Sequence, residues 1–231
     1  MIVTDFHSHI LPGIDDGSQD VETSIEMLRI SRSQGIDRVV ATPHFYAEKD
    51  SIESFLEKRQ HSYEMLAEHL EGLPEVYPGA EAAFFSGISQ ADKTSELCIR
   101  DTNLLLLEMP FTAWPQSVLD EVERLACKRG FRVIIAHLER YLKISGNKQG
   151  IRQLLELPVV IQINAGSLMD WKTRGPLLKM FKNGTAQLLG SDCHSLHRRP
   201  PNLAEGRAVL KKKLGDGILQ QIDAFGEELL R

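Results

Sequence analysis

Short, wholly apolar runs alternate with helical segments along this 231-residue chain, and the alternation restricts the fold more than any other feature. The run 104–107 is four leucines, and an unbroken apolar strand is typical of a parallel sheet covered on both faces. The pattern predicts an α/β fold in which helical crossovers join parallel strands, most simply as a barrel, with an open doubly wound sheet as the alternative. The predicted strands are 2–6, 38–41, 76–80, 104–107, 131–136, 159–164 and 186–190.

The connecting helices are predicted from the helical spacing of apolar residues and from the capping and terminating residues at their ends. Ser18 or Asp20 can cap the first helix, which ends near Gly35. Together with the strands, the helices make about seven strand–helix units, and we expect residues 1–231 to form a single domain. The predicted helices are 20–35, 51–70, 88–97, 115–130, 150–157, 176–182, 203–214 and 218–230.

Composition excludes several classes of function. The formal net charge is −5 and the only basic run is 211–213, so a nucleic-acid partner is not expected. No apolar stretch approaches the length of a membrane span, and the first residues show no signal-peptide pattern. The three cysteines are scattered and odd in number, which argues against a disulfide framework and for a reducing compartment. A cytoplasmic protein is therefore expected.

Metal-ligand residue types recur where the predicted strands end. His7 and His9 are two residues apart on a strand, so their imidazoles point to the same face. In a parallel barrel all carboxyl-terminal strand ends meet on one face, where active sites are built. Any one of these residues could be a solvated loop residue, but their pooling at one face predicts a metal site. The further candidates are Asp16, His44, Glu81, Glu108, His137, Asp192 and His194.

A competing pattern is the C-x5-R spacing of cysteine-dependent phosphatases, from Cys193 to Arg199. In those enzymes a thiolate attacks phosphorus while loop amides and the arginine hold the phosphate. Here no glycine lies between the two residues, and Pro200 lacks the amide hydrogen that would open a phosphate-binding helix. Cys193 also alternates with its two neighbours, so it should point away from the metals. We interpret the match as coincidence.

Six segments together carry a resemblance to the polymerase-and-histidinol-phosphatase (PHP) superfamily. They also resemble, more narrowly, the manganese-dependent protein-tyrosine phosphatases encoded with bacterial capsule and exopolysaccharide genes. The segments span nearly the whole chain in the expected order, and AHLER and the DDG turn favour the capsule-type branch. They are HSHILPGIDDG (7–17), ATPH (41–44), GAE (79–81), LLEMP (106–110), AHLER (136–140) and SDCHSLHRRPP (191–201).

The resemblance implies a distorted barrel of about seven strands that binds three divalent metal ions at the carboxyl-terminal strand ends. Each implied ligand set mixes imidazole and carboxylate, which suits manganese, iron or zinc; the resemblance favours manganese. The implied sets are His7, His9, Glu81 and Asp192 for the first ion, Glu81, Glu108 and His137 for the second, and Asp16, His44 and His194 for the third.

The predicted chemistry is attack on phosphorus by a hydroxide that the metals activate. Arg140 and Arg199 are predicted to hold the phosphoryl oxygens, because a guanidinium offers paired donors to phosphate. Asp15 is the nearest candidate for proton transfer, with a turn-stabilising role as the alternative. Aromatic residues that could flank a leaving group, or only pack at the rim, are Phe45, Tyr46, Phe84, Phe85 and Trp114.

The leading functional hypothesis is a phosphatase that acts on phosphotyrosine of a bacterial tyrosine kinase of capsule or exopolysaccharide synthesis. One alternative is a small-molecule phosphatase, such as one acting on histidinol phosphate. Another is a metal-binding regulatory module without catalysis, against which the complete ligand set argues. The resemblance also leaves a homo-oligomer open.

Overall fold

The computed structural model spans residues 1–231 and contains nine strands, each parallel to its neighbours. The strands are short and almost wholly buried, as expected for a parallel sheet covered on both faces. They are β1 (Thr4–Ser8), β2 (Arg38–Ala41), β3 (His44–Phe45), β4 (Glu75–Pro78), β5 (Glu81–Ala83), β6 (Leu104–Glu108), β7 (Arg132–Ile135), β8 (Val160–Asn164) and β9 (Leu188–Gly190).

The nine strands occupy seven positions in one curled sheet, because two of these positions each hold two short strands in succession. Only Thr42 and Pro43 separate β2 from β3, and only Gly79 and Ala80 separate β4 from β5. Before these breaks the strand order is β1-β2-β4, and after them it is β3-β5-β6-β7-β8-β9. The prediction of about seven strand–helix units around a parallel sheet is confirmed.

The first and last strands meet at their carboxyl-terminal ends. Ser8 forms a parallel bridge with Cys193, three residues after the end of β9. The amide of His9 donates to the carbonyl of Cys193 at 2.9 Å, and the amide of Asp192 donates to the carbonyl of His7 at 2.8 Å. The sheet therefore curls into a distorted barrel, and the alternative of an open doubly wound sheet is wrong.

Helices connect the strands and cover the outside of the sheet. Asp20 caps α1 by accepting from the amide of Thr23, and Ser51 caps α2 by accepting from the amide of Ser54. The helices are α1 (Val21–Ser33), α2 (Ile52–Ala67), α3 (Gln116–Glu123), α4 (Leu138–Tyr141), α5 (Asn147–Leu154), α6 (Ala165–Met169), α7 (Trp171–Lys182), α8 (Leu203–Leu214) and α9 (Asp216–Leu229).

Two helix predictions were wrong in part. The predicted helix 88–97 is reduced to a single 3₁₀ turn, Thr94–Leu97. There the Thr94 hydroxyl donates to the carbonyl of Ile88 and the amide of Ser89 donates to Glu121, so side chains take the backbone bonds that a helix needs. The helix predicted to start at Pro176 begins earlier, at Trp171, and keeps the proline inside.

The barrel interior changes from apolar to polar along β6 and β8. Because side chains alternate between faces, Leu104, Leu106 and then Glu108 share one face of β6. The apolar members belong to a buried cluster of ten residues, which also includes Leu229 of α9. Toward the carboxyl-terminal ends, imidazoles and carboxylates replace the apolar side chains, and the candidate site lies there.

Candidate metal centre

Four predicted ligands converge where β1, β5 and β9 end. The Nε2 atoms of His7 and His9 are 3.1 Å apart. Glu81 Oε2 lies 3.3 Å from His7 Nε2 and 3.4 Å from His9 Nε2. Asp192 Oδ1 lies 3.5 Å from each of the two nitrogens. All four side chains are almost completely buried, so these atoms form a compact set that water does not reach freely.

The spacing of this set fits a bound metal ion. Ligands about 2.0–2.2 Å from a tetrahedral ion lie about 3.3–3.6 Å from one another, close to the separations observed. Glu81 Oε2 also lies 2.9 Å from His44 Nδ1. Yet it makes no hydrogen bond despite three imidazole nitrogens within 3.5 Å. Buried polar atoms normally have a partner, and a cation bound by both the carboxylate oxygen and the imidazole nitrogens would supply one here.

Glu81 also faces a second group of ligands through its other oxygen. Its Oε1 lies 2.8 Å from His137 Nε2, and that nitrogen lies 3.4 Å from Glu108 Oε1. Since Oε2 faces His7 and His9, the two oxygens of one carboxylate serve two neighbouring groups. This is the arrangement of a bridging carboxylate.

The third group lies beside the first. Asp16 Oδ1 is 3.5 Å from His44 Nε2 and 3.7 Å from His194 Nε2. The Nδ1 atom of His194 is 3.0 Å from the carbonyl of Asp192, while its buried Nε2 has no hydrogen-bond partner. Burial is the largest cause that lowers the pKa of His194, to about 4, and it favours the neutral imidazole, which is the form that binds metals.

Asp15 lies behind the ligands and contacts one of them. Its Oδ2 accepts from His9 Nδ1 at 2.7 Å and from the amide of His44 at 2.9 Å, and its Oδ1 accepts from the amide of Gly17 at 2.9 Å. Burial acts to raise the pKa of Asp15, but the hydrogen bond and charge of His9 outweigh it and lower the pKa to about 2. Asp15 therefore orients His9 and holds the DDG turn against β3.

Two amides of β8 orient further ligands, and the sequence interpretation did not include them. Gln162 Oε1 accepts from the amide of His137 at 2.8 Å and lies 3.3 Å from His7 Nδ1. Gln162 Nε2 donates to Asn164 Oδ1 at 2.9 Å, and Asn164 Nδ2 donates to Asp192 Oδ2 at 2.7 Å. The available signal was the apolar–polar alternation of IQIN (161–164), which places both amides on one face of the strand.

Two candidate ligands have left-handed backbone. His137 and Asp192 have φ of 34° and 54°, in a region that residues other than glycine seldom adopt, although Asn, Asp and His do so more often than most. Each residue lies two positions after the end of a strand, β7 and β9 respectively. Backbone in this region is common at functional sites, where the surrounding structure maintains it.

Arg140 and Arg199 lie at the exposed edge of the site, and both pair with Asp192. Each is more than a third exposed, whereas Asp192 is 3% exposed. A small cavity of about 210 Å³ opens between them and is also lined by Asn164 and Ser167. The two guanidinium groups therefore face both the carboxylate of Asp192, a candidate metal ligand, and open space beside it.

Cys193 lies outside this arrangement. The residue is 1% exposed and belongs to the main hydrophobic core. Burial raises the pKa of its thiol well above the ordinary range, so the thiol stays protonated near neutral pH. These observations agree with the interpretation of the C-x5-R spacing as coincidence.

The fold and the site define a class of protein: a parallel barrel whose carboxyl-terminal edge pools histidines and carboxylates, as in metal-dependent hydrolases. The chain belongs to the capsular polysaccharide synthesis family CpsB/CapC, whose family model matches residues 3–227. The resemblance to capsule-type phosphatases predicted from the sequence motifs is confirmed.

Individual relatives agree with the family assignment. The tyrosine-protein phosphatase YwqE of Bacillus subtilis is 31% identical over 98% of this chain and 91% of its own length. A crystal structure from work on YwqE and on CpsB of Streptococcus pneumoniae, described as unique metal-dependent tyrosine phosphatases, superposes with a TM-score of 0.85. It is 28% identical, over 99% of this chain and 94% of that chain.

A more distant structure shares the fold. Histidinol phosphate phosphatase from Lactococcus lactis, solved with zinc, L-histidinol and phosphate, matches with a TM-score of 0.59 at 13% identity. The match covers 91% of this chain and 93% of that one. None of the helices here combines the length and apolar character that a membrane span requires.

Proposed function

We propose that this protein is a metal-dependent phosphatase that hydrolyses phosphotyrosine on a bacterial tyrosine kinase of capsule or exopolysaccharide synthesis. The observation that carries the proposal is the carboxylate of Glu81, whose two buried oxygens face two separate groups of imidazole ligands. Membership of the CpsB/CapC family and the similarity to YwqE support the substrate class. The kinase and the cytoplasmic location are part of the proposal.

The proposed ligand sets follow the three groups described above, with three divalent ions that are manganese by preference. His7, His9, Glu81 and Asp192 hold the first, Glu81, Glu108 and His137 the second, and Asp16, His44 and His194 the third. When bound, such ions neutralise phosphate and lower the pKa of water, which supplies the nucleophile. A mixed nitrogen and oxygen donor set accommodates manganese, iron or zinc.

The arginines bind and orient the phosphoryl group in this proposal. Arg140 and Arg199 reach Asp192 from the exposed side, so a phosphate above that carboxylate meets two guanidinium groups. Each guanidinium offers paired N–H donors to the non-bridging oxygens. Asn164 holds the second oxygen of Asp192, which keeps this carboxylate from turning toward the substrate.

Asp15 has a positioning role in this proposal and does not act as an acid. Both of its oxygens accept hydrogen bonds, from His9 Nδ1 and from the amides of His44 and Gly17, which favours the ionised carboxylate and leaves no proton to give. The leaving phenolate has a parent pKa of about 10 and needs less acid assistance than an alkoxide. The side chain of Asp15 instead orients His9 from behind.

The proposal is tested by assaying phosphotyrosine-peptide hydrolysis with manganese and with a chelator. We expect the chelator to abolish activity. Changes to residues that only orient metal ligands typically cost about 10–100-fold, and His7→Ala should lower activity by more than that. His61→Ala, on the exposed face of α2, is the matched histidine control and should keep wild-type activity. Cys193→Ser should also remain active, because the thiol is buried in the core and protonated.

Two outcomes contradict the proposal. An inactive Cys193→Ser protein with a harmless chelator would make the thiol the nucleophile and the metal assignment wrong. A preference for histidinol phosphate over the phosphotyrosine peptide would retain the metal centre but reject the substrate class.

A further inference from the structure

Phe111 is an exposed aromatic residue at the edge of the metal centre. It follows β6 by three residues and is 52% exposed, although most large apolar side chains of this protein are buried. Its ring stacks on the imidazole of His137, with centroids 6.0 Å apart and planes 22° apart. A single exposed apolar side chain is ordinary on a protein surface. What distinguishes Phe111 is that its open ring lies against His137, a candidate ligand of the metal centre.

The surroundings of Phe111 hold its ring in place. Tyr141 lies behind it, with ring centroids 5.2 Å apart, and Trp114 lies 5.3 Å from Tyr141. The amide of Met109 donates to the hydroxyl of Tyr141 at 2.9 Å, which fixes the start of the loop. A ring supported in this way can bind a partner without first being ordered.

The other aromatic residues near the site are less open than Phe111, and Phe84 and Phe85 are half-buried and pack against the main core. Tyr46 stacks on His44, but the ammonium of Lys49 lies 4.2 Å from the centre of its ring. Phe45 and Trp114 are 1% and 8% exposed and belong to the core. Phe111 is therefore the aromatic residue beside a candidate ligand that leaves a large part of its ring open.

We propose that Phe111 contacts the phenyl ring of the substrate and makes the site selective for aryl over alkyl phosphates. Aromatic rings attract one another in offset or edge-to-face geometry at centroid separations of about 4.5–7 Å. A phosphoryl group held by Arg140 and Arg199 would present its ester substituent to the rim of the site, where Phe111 lies. This assignment rests on the proposed phosphotyrosine phosphatase function and adds the residue that selects the aromatic substrate.

The test compares two non-hydrolysable ligands, phenylphosphonate and methylphosphonate, by calorimetric titration of the manganese-loaded protein. We expect Phe111→Ala to weaken phenylphosphonate about tenfold, the equivalent of about 1.4 kcal/mol, and methylphosphonate by less than about twofold. Phe111→Leu keeps apolar contact with Tyr141 but lacks a ring, and should lose most of the same preference. Phe111→Tyr should restore it.

Leu155→Ala is the matched control, since Leu155 is 38% exposed and follows the helix that leads into the amino-terminal end of β8. It should leave both affinities unchanged. The proposal is overturned if Phe111→Ala and Phe111→Leu keep the phenyl preference, or if they weaken both phosphonates equally. Failure of the wild type to hydrolyse phosphotyrosine would reject the proposed function, while the phosphonate titrations would still report on the ring contact.

Discussion

Gly190, the last residue of β9, allows this strand to approach His7, a candidate metal ligand in β1, closely. A Cβ atom at this position would lie 2.6 Å from His7 Cβ and 2.7 Å from Gln162 Nε2. Both distances are far below van der Waals contact, and the two neighbours are a ligand and the amide beside it. Gly190→Ala must therefore displace His7, Gln162 or the strand itself.

The expected cost follows from the two close contacts. Forcing an extra carbon into a well-packed interior costs about 1–3 kcal/mol. For a protein of this length each kcal/mol shifts the Tm by about 2–4 °C, so Gly190→Ala should unfold about 2–12 °C lower. Because the displaced groups orient metal ligands, manganese affinity should also fall about 10–100-fold.

The assay is thermal unfolding, first in chelator and then in a manganese titration. The chelator measurement isolates the packing cost, and the titration reports metal binding through the gain in Tm. Gly217→Ala is the matched control, because a Cβ there meets no atom within 4 Å and the residue lies inside α9. It should leave stability unchanged or raise it by up to about 1 kcal/mol. A Gly190→Ala protein with wild-type Tm in chelator and wild-type manganese affinity would refute the reasoning.

Two further variants test other contacts. Asn164→Ala removes the donor to Asp192 Oδ2 and should weaken manganese binding about 10–100-fold in equilibrium dialysis. The exposed Asn183→Ala is the control. Equal manganese affinities in the two variants would show that the Asn164 amide does not position Asp192. Arg207→Met breaks a bidentate pair with Asp223 that joins α8 to α9, and should cost about 1–3 kcal/mol in urea unfolding. The exposed Lys211→Met should change stability by less than about 0.5 kcal/mol; an equal loss in both would mean that burial adds nothing to the pair.

The strand positions were predictable because burial on both faces leaves a strong compositional signal. The second strand was predicted at its observed limits, and the leucine run of β6 differs only by the added Glu108. The convergence of the ligand residues followed from the same strands, since parallel strands deliver their carboxyl-terminal residues to one edge. Register then places His44 directly beside Glu81.

Other features left no comparable signal. The helices α4 and α6 contain four and five residues, too few for helical periodicity to show. Gln162 and Asn164 carry no charge and are not typical ligands of these metals. Their alternation with apolar residues in β8 therefore indicated a polar face but did not indicate what that face does. The exposure of Phe111 depends on the packing of Tyr141 and Trp114 behind it, which spacing in the sequence does not reveal.

The junction between β1 and β9 gives the metal centre a consequence for folding. The residues that join the two ends of the sheet, His7, His9 and Asp192, are also proposed ligands of one ion. Such an ion acts as a clip across nearly the whole chain, and clips that close long loops remove the most conformational entropy from the unfolded state. Metal availability would then affect how firmly the barrel is closed as well as its chemistry, because the ion would tie the two ends of the sheet to each other.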